Sequence, residues 1–438
     1  MSYTNPEDVF FWDSAKEQWS WTIQSPMVYD ILAAQHLYGA NWDYNVENTV
    51  YIFDPTEAVR KTIWDGGGKD TFDFSNFLLN VYVNLIPGSY SDIPIEDWNA
   101  SQNIGIAFGA IIENVVGGFG DDYLSGNFTH NSISGSSGND VLSGWEGDDI
   151  LYGGVGQDSL FGDEGNDNLS GSAGDDRIYG GSGIDTAVFS GNQTSYTLTL
   201  SPIGTTITDR RTDGTGTDTL TSIEKLAFTD STLDMNAFTG LTQLSSDQFK
   251  SLAEMYVAYF NRAPDAEGLF FWADQLAESL NMNEIAERFF DQAETRAIYT
   301  DPSNTDAFVT AVYANVLGRT PDEGGSTFWK ARLAEGDVTQ GAFVLTIIEA
   351  AKNVAGSSDA AYLSDKTDVG IYYSAIKGLS DGTDGRQVMA AFGDQETSNK
   401  LGAKTAIDGH YADATTGAEG EFLFNVVGVV SNPFAEFV

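Results

Sequence analysis

The sequence predicts a multidomain chain: a repetitive parallel β-solenoid with a β cap, followed by an all-α module. Three observations predict it. Between 117 and 189 a glycine recurs every nine residues, at 117, 126, 135, 144, 153, 162, 171 and 180. Five residues after each comes Asp122, Asn131, Asp140, Asp149, Asp158, Asp167, Asp176 or Asp185, and two further on an apolar side chain: Leu124, Ile133, Leu142, Leu151, Leu160, Leu169, Ile178 or Ala187. Near Ser245 glycine thins out, helical periodicity begins, and one block recurs at an offset of 57 residues.

Composition narrows the function. The chain has 438 residues, 41% hydrophobic, enough for several cores. Its net charge of −43 repels nucleic acid and anionic membranes and suits a protein that takes up divalent cations. There is no cysteine, so an exported form needs a staple other than disulfides, and metal is one. Met1 to Asp8 carries neither a basic region nor an apolar one, so it does not read as a Sec-type signal peptide. No apolar run reaches the length of a membrane span. An export address is therefore expected elsewhere.

In residues 1–116, Pro26 to Gly39 reads as a helix, with Met27, Ile31, Ala34 and Leu37 at helical spacing and Gly39 as its stop. Trp64 to Ser75 follows, a glycine-rich loop and then an alternating strand with Phe72 and Phe74 on one side. Residues 1–24, with Phe10, Phe11, Trp12, Trp19 and Trp21, are expected to cover apolar surface.

Each unit of 117–189 has a glycine-rich half and a strand half. The turn needs glycine because its backbone must take φ > 0 and pass close to a metal. In the strand the apolar residue points inward and its neighbours outward. The pattern resembles the nonapeptide of RTX proteins, a calcium-binding parallel β-roll. In that family two units make one coil, odd and even units stack on opposite edges, and calcium lies between turns of one edge. The resemblance implies oxygen ligands for several Ca2+ ions from Gly118, Gly120 and Asp122, from Gly138 and Asp140, from Gly147 and Asp149, and from Gly154, Gly156 and Asp158. It implies the same of Gly165 and Asp167, Gly174 and Asp176, and Gly181, Gly183 and Asp185. Thr129 and Asn131 replace Gly and Asp in the second unit, where a weak or absent site is expected. Ala187 in the eighth suggests the end of the roll. The segment 117–189 carries 11 Asp and 2 Glu against Arg177 alone, so without calcium it is expected to be unfolded.

Ser25 to Asn41, Trp64 to Ser75 and Ile111 to Gly118 resemble the C-terminal region of the serralysins, secreted zinc proteases. The second stretch matches a calcium loop there, which adds Asp65, Gly67 and Asp70 to the implied metal ligands. The protease motif H-E-x-x-H-x-x-G-x-x-H is missing: His36, His130 and His410 are the only histidines and are far apart. No zinc and no protease chemistry are expected.

Residues 190–245 show short alternating strand runs, read as a β cap on the last coil. In 246–412, Tyr256, Arg262, Pro264, Asp265, Gly268, Phe271, Trp272 and Leu276 recur as Tyr313, Arg319, Pro321, Asp322, Gly325, Phe328, Trp329 and Leu333. Each copy reads as helix, turn, helix, with the proline near the first turn of the second helix and the aspartate close to its N-terminus. It resembles an uncharacterised helical domain that accompanies RTX repeats. The Arg and Asp pairs are read as structural. The apolar 413–438 resembles an uncleaved type I secretion signal; its alternative is a last element packed on the helical module.

The expected function is that of a secreted, extracellular calcium-binding protein, not an enzyme, in a matrix, surface or binding role. Its expected partners are calcium, the type I secretion machinery and an extracellular protein or glycan, with no nucleic acid and no membrane span. The alternative is a truncated or split serralysin-type metalloprotease component.

Overall fold

A computed structural model describes residues 10–13, 18–21, 25–57, 59–94, 101–416 and 420–437, the side chains of the first two stretches and of 437 excepted. A sheet-rich region is followed by a helical one. The chain divides into two compact units, Met1–Asn192 with Ile207–Asp234, and Gln193–Thr206 with Met235–Val438.

In the first unit the nonapeptide strands stand in two parallel ladders. Odd-numbered units give Tyr123–Asn127, Val141–Trp145, Ser159–Glu164 and Arg177–Ser182. Even-numbered units give Ser132–Ser137, Ile150–Val155, Asn168–Ala173 and Thr186–Val188. Partners lie two units apart in sequence, as in Leu124 with Leu142 and Ile133 with Leu151. The ladders are open; no closed solenoid is formed among the described residues. The eighth-position side chains, Leu124 through Ala187, are all buried. Each buried Leu or Ile contributes roughly 1.5–3 kcal/mol. One small aliphatic layer per strand is a thin core for so acidic a segment.

Both ladders extend beyond the repeats. Tyr82–Asn84 precedes the odd one; Val50–Ile52, Thr71–Asp73 and Asn114–Val116 precede the even one. Phe53, Phe72, Phe74 and Phe77 are buried there in edge and stacked contacts. Downstream, Thr217–Thr221 pairs in parallel with Arg177–Ser182, and Lys225–Ala227 with Thr186–Val188. Ala187 therefore does not end the stack: strands from the segment read as a cap continue it, and Thr232–Asp234 closes the even ladder by antiparallel pairing.

The helix forms over Val28–Tyr38, but its apolar spacing does not face a core. Val28 is buried, whereas Leu37 is 71% exposed. Phe10–Asp13 and Gln18–Trp21 pair as an antiparallel hairpin. The covering role expected of residues 1–24 rests on side chains outside the described ones.

In the second unit the 57-residue repeat forms two helix–turn–helix pairs, Ser246–Phe260 with Ala266–Glu278 and Thr305–Leu317 with Glu323–Glu335. Asp265 and Asp322 cap the second helix of each pair, accepting from the Gly268 and Gly325 N–H at 2.6 and 2.7 Å. The prolines thus sit near the first turn as expected, just before the cap. Arg262 holds Asp265 and Glu294, and Arg319 holds Asp359. Each guanidinium also lies 5.3 Å from the centre of a tyrosine ring, Tyr256 or Tyr313. These groups tie helices together. Lys366 is buried and donates to Asn261 Oδ1 and the Asn315 carbonyl; burial pushes its ammonium down to about 7.

The C-terminal segment belongs to this second core. Leu423–Val426 pairs in parallel with Tyr196–Ser201, and Leu423, Phe424, Val426 and Phe434 are buried. Among the described residues no helix is long and apolar enough to cross a membrane.

Candidate metal centre

The sixth-position aspartates form two buried columns, each at most 1% exposed. In every step one carboxylate oxygen accepts the backbone N–H of the column residue before it. Asp122 N–H donates to Asp140, Asp140 N–H to Asp158 and Asp158 N–H to Asp176, at 2.7 to 2.8 Å. In the second column Asn131 N–H donates to Asp149, Asp149 N–H to Asp167 and Asp167 N–H to Asp185, at 2.7 to 2.9 Å.

The second oxygen is the informative one. Oδ2 of Asp140, Asp149, Asp158, Asp167, Asp176 and Asp185 is buried with no hydrogen-bond partner. Burial pushes the Asp140 and Asp149 carboxyls up to about 7 and those of Asp158 and Asp167 up to about 6; Asp176 and Asp185 also rise by burial. A buried charged oxygen without a donor costs at least about 1–3 kcal/mol, and a row of them repel one another.

Units three to eight share the backbone that creates this state. Their second position has positive φ, at Ser136, Trp145, Gly154, Asp163, Ser172 and Gly181, as does the fourth, at Gly138, Gly147, Gly156, Gly165, Gly174 and Gly183. The fourth position needs glycine twice over. Its φ is +121 to +145°, and a Cβ on Gly156, Gly165, Gly174 or Gly183 would overlap the carbonyl oxygen of the stacked turn. The first-position glycine is needed for a different reason. Its φ is ordinary, but a Cβ on Gly135, Gly144 or Gly153 would strike the unit's own carboxylate.

Units one and two differ. Gly118 and Gly120 are not among the positive-φ positions. Asp122 is satisfied at both oxygens, by Val81 N–H and by Gly118 N–H, each at 2.7 Å. Asn131 Oδ1 accepts from Asn127 N–H at 2.8 Å, and its Nδ2 donates to the Glu113 carbonyl at 3.0 Å. Neither turn holds an orphaned oxygen: Asp122 shares the hydrogen-bond ladder of its column but, unlike Asp140, Asp158 and Asp176, has a donor on each of its own oxygens.

The loop at 65–70 repeats the theme. Asp65 accepts from Tyr51 Oη at 2.6 Å and from Gly67 N–H at 3.0 Å. Asp70 Oδ1 accepts from Thr49 N–H at 2.7 Å, its N–H donates to Glu113 Oε2 at 2.7 Å, and its Oδ2 is buried without a partner. Burial pushes Asp70 up to about 7.

Sequence reasoning missed several participants. Asp218 and Glu224 end the two columns, accepting from Asp176 N–H at 3.0 Å and Asp185 N–H at 2.8 Å. Fifth-position side chains make an outer ladder: Asp121 accepts from Asn139 N–H, Asn139 from Gln157 N–H, Asp148 from Asn166 N–H and Asn166 from Ile184 N–H. The recurrence of Asp and Asn at that position, 18 residues apart, was its available signal. Among the described residues no three His, Asp or Glu side chains converge as a metal-holding group. One carboxylate per turn beside backbone carbonyls is a donor set for a hard cation that takes many oxygens.

Comparisons with known proteins fall on this region. The family model of the Peptidase M10 serralysin C-terminal domain matches residues 30–267. A second, for a domain of unknown function called DUF4214, matches 286–356. Serralysin C of Dickeya chrysanthemi is 42% identical over 112 residues, 23% of this chain and 22% of its own length. Serralysin of Proteus mirabilis is 37% identical over 115 residues, 24% and 23% of the two chains. Metalloprotease AprA of Pseudomonas entomophila is 42% identical over 115 residues, with the same coverage. The chain thus spans less than a quarter of the length of these relatives, and the family model it matches is the C-terminal one rather than one for a catalytic domain. With more than half of its residues inside that match, the chain belongs to the Peptidase M10 serralysin C-terminal family.

Proposed function

We propose that this is a secreted calcium-binding protein of RTX type, whose nonapeptide segment completes a β-roll only when calcium is bound, and which acts outside the cell in a non-catalytic matrix, surface or binding role. The observation that carries this reading is the set of seven buried Oδ2 atoms without a donor, on Asp70, Asp140, Asp149, Asp158, Asp167, Asp176 and Asp185. Bound calcium would supply the positive charge these turns lack and would accept many oxygens at once. The chain's own residues do the rest. The aspartates each offer one free oxygen while the other fixes the neighbouring turn. Gly138, Gly147, Gly156, Gly165, Gly174 and Gly183 let successive turns approach closely enough for carbonyls to gather. Asp122 and Asn131 act as hydrogen-bonded end pieces.

The coupling to export follows from the charge. With 11 Asp and 2 Glu against Arg177 alone and one thin aliphatic layer per strand, the segment stays loose where calcium is scarce and folds where calcium reaches about 10⁻⁴–10⁻³ M. The tail at 421–438 is proposed as the type I secretion address, read before Leu423–Val426 is buried in the second unit. The helical unit is proposed to meet the extracellular protein or glycan partner.

Equilibrium dialysis with radiocalcium tests the reading. Several ions bound per chain support it, and a chain that binds none contradicts it. The names of the relatives favour one other reading, a component of a split metalloprotease. Retained zinc or casein hydrolysis would favour that alternative, and the proposed function expects neither.

A further inference from the structure

The helix Val28–Tyr38 and the hairpin of Phe10–Asp13 with Gln18–Trp21 are neighbours in the chain, and each lacks half of a core. The helix is attached by one side only. Val28 is buried so close to Gly105 that a Cβ there would strike its methyl group, and its N–H donates to Tyr90 Oη at 3.4 Å. Ile31 and Gln35 complete that side, half-buried. Tyr29, Leu32, Ala33 and Leu37, at i, i+3, i+4 and i+8, make a second, apolar stripe. All four are exposed. An 11-residue helix is marginal on its own in water, so one attached this lightly needs cover.

The hairpin has the complementary shortage. Its register pairs Phe10 with Trp21 and Trp12 with Trp19, which sets four aromatic residues at the positions of one face; Phe11, Asp13, Gln18 and Ser20 take those of the other. A two-stranded hairpin is marginally stable at best unless a face packs on something. Two constraints point it at the helix. Thr62 N–H donates to Ser25 Oγ at 2.7 Å, which anchors the chain just before the helix, and only Thr22 to Gln24 separate that anchor from Trp21. Those Cα steps reach at most about 15 Å. The faces also match in length: a four-residue strand spans about 13 Å, and the stripe from Tyr29 to Leu37 about 12 Å.

We propose that the aromatic face of the hairpin, with Phe10, Trp12, Trp19 and Trp21, docks on the Tyr29, Leu32, Ala33 and Leu37 stripe of the same chain. So short a tether holds the hairpin beside the helix at an effective concentration of the order of millimolar, above that of a second copy or a separate polypeptide in dilute solution. The contact gives each element the packing surface it lacks, and this end of the chain is then covered from within, without a second polypeptide.

Amide hydrogen exchange of the full-length protein in calcium, read by mass spectrometry over 28–38 and 10–21, tests the contact. Slow exchange over 28–38 is expected in the native chain, at a rate independent of protein concentration. The double variant Trp12→Ser, Trp19→Ser should speed it about tenfold or more, and Phe11→Ser, on the opposite face, should not. Leu37→Gln should speed exchange over 10–21. Exchange over 28–38 that is fast in the native chain, that the double variant leaves unchanged, or that Phe11→Ser speeds equally overturns the proposal. Protection that rises with protein concentration also overturns it, in favour of a second copy as the occupant. If the double variant loses the calcium-loaded β signal, Leu37→Gln decides: faster exchange over 10–21 supports the contact, and unchanged exchange overturns it.

Discussion

Replacing Asp158 by asparagine should move stability in opposite directions with and without calcium. Asp158 is fully buried; Oδ1 accepts from Asp140 N–H at 2.8 Å, and Oδ2 has no donor. In chelator near pH 7.5 the side chain is a buried charge with one oxygen unsatisfied, a cost of about 1–3 kcal/mol. Asparagine keeps the bond to Asp140 and removes the charge. The chain already shows the outcome at Asn131, whose amide donates to a carbonyl and whose oxygen accepts Asn127 N–H. The variant should therefore gain about 1–3 kcal/mol in chelator. At a calcium concentration a hundred times Kd, a lost site removes about 2.7 kcal/mol. The assay is far-UV circular dichroism of both solutions, read as the β signal in chelator, where the native segment is loose, and as the urea midpoint in calcium. Equal shifts in both, of either sign, would refute the assignment of Asp158 as a calcium ligand.

Three other outcomes follow from the same geometry. Gly156→Ala places a Cβ on the Gly138 carbonyl at φ +145° and should cost about 3 kcal/mol or more, whereas Gly409→Ala, mid-helix with nothing within 4 Å, should gain about 0.5–1 kcal/mol; urea melts of both variants check the contrast. In chelator, the column carboxyls have folded pKa values of about 6 to 7, above their unfolded value near 4, so the folded state binds more protons across that window. The β signal of the chelated protein, weak near pH 7.5, should accordingly rise as pH falls to 5, and a flat or falling signal counts against the buried columns. Phe424 is 1% exposed and packs on Phe238 and Phe270, so Phe424→Ala should cost about 3–5 kcal/mol in the second unit, seen as early loss of helical signal on heating.

The parts legible in the sequence were those that repeat locally. A glycine every nine residues with an aspartate five on gave the strand positions and the buried eighth residue. The 57-residue offset gave both helix pairs. What stayed hidden depends on distance or exception. Asp218 and Glu224 join their columns 42 and 39 residues after Asp176 and Asp185, because an intervening excursion breaks the period. Asp122 looks like its column mates, yet its fate turns on an N–H from Gly118, whose backbone differs from that of Ser136 or Gly154. The tail reads in sequence as an export signal, with a packed last element as the alternative, and its pairing with Tyr196–Ser201 shows that a strand forms there. The helix at Val28–Tyr38 has regular apolar spacing but an exposed face, since periodicity reports helix formation and not what lies beside it.

The most direct test of the central claim is the far-UV circular dichroism of the full chain in chelator and then through a calcium titration. The account predicts weak β signal in chelator and a cooperative rise with a midpoint of about 10⁻⁴–10⁻³ M calcium, while the helical signal of the second unit changes little. A β signal already complete in chelator and unchanged by calcium would contradict it.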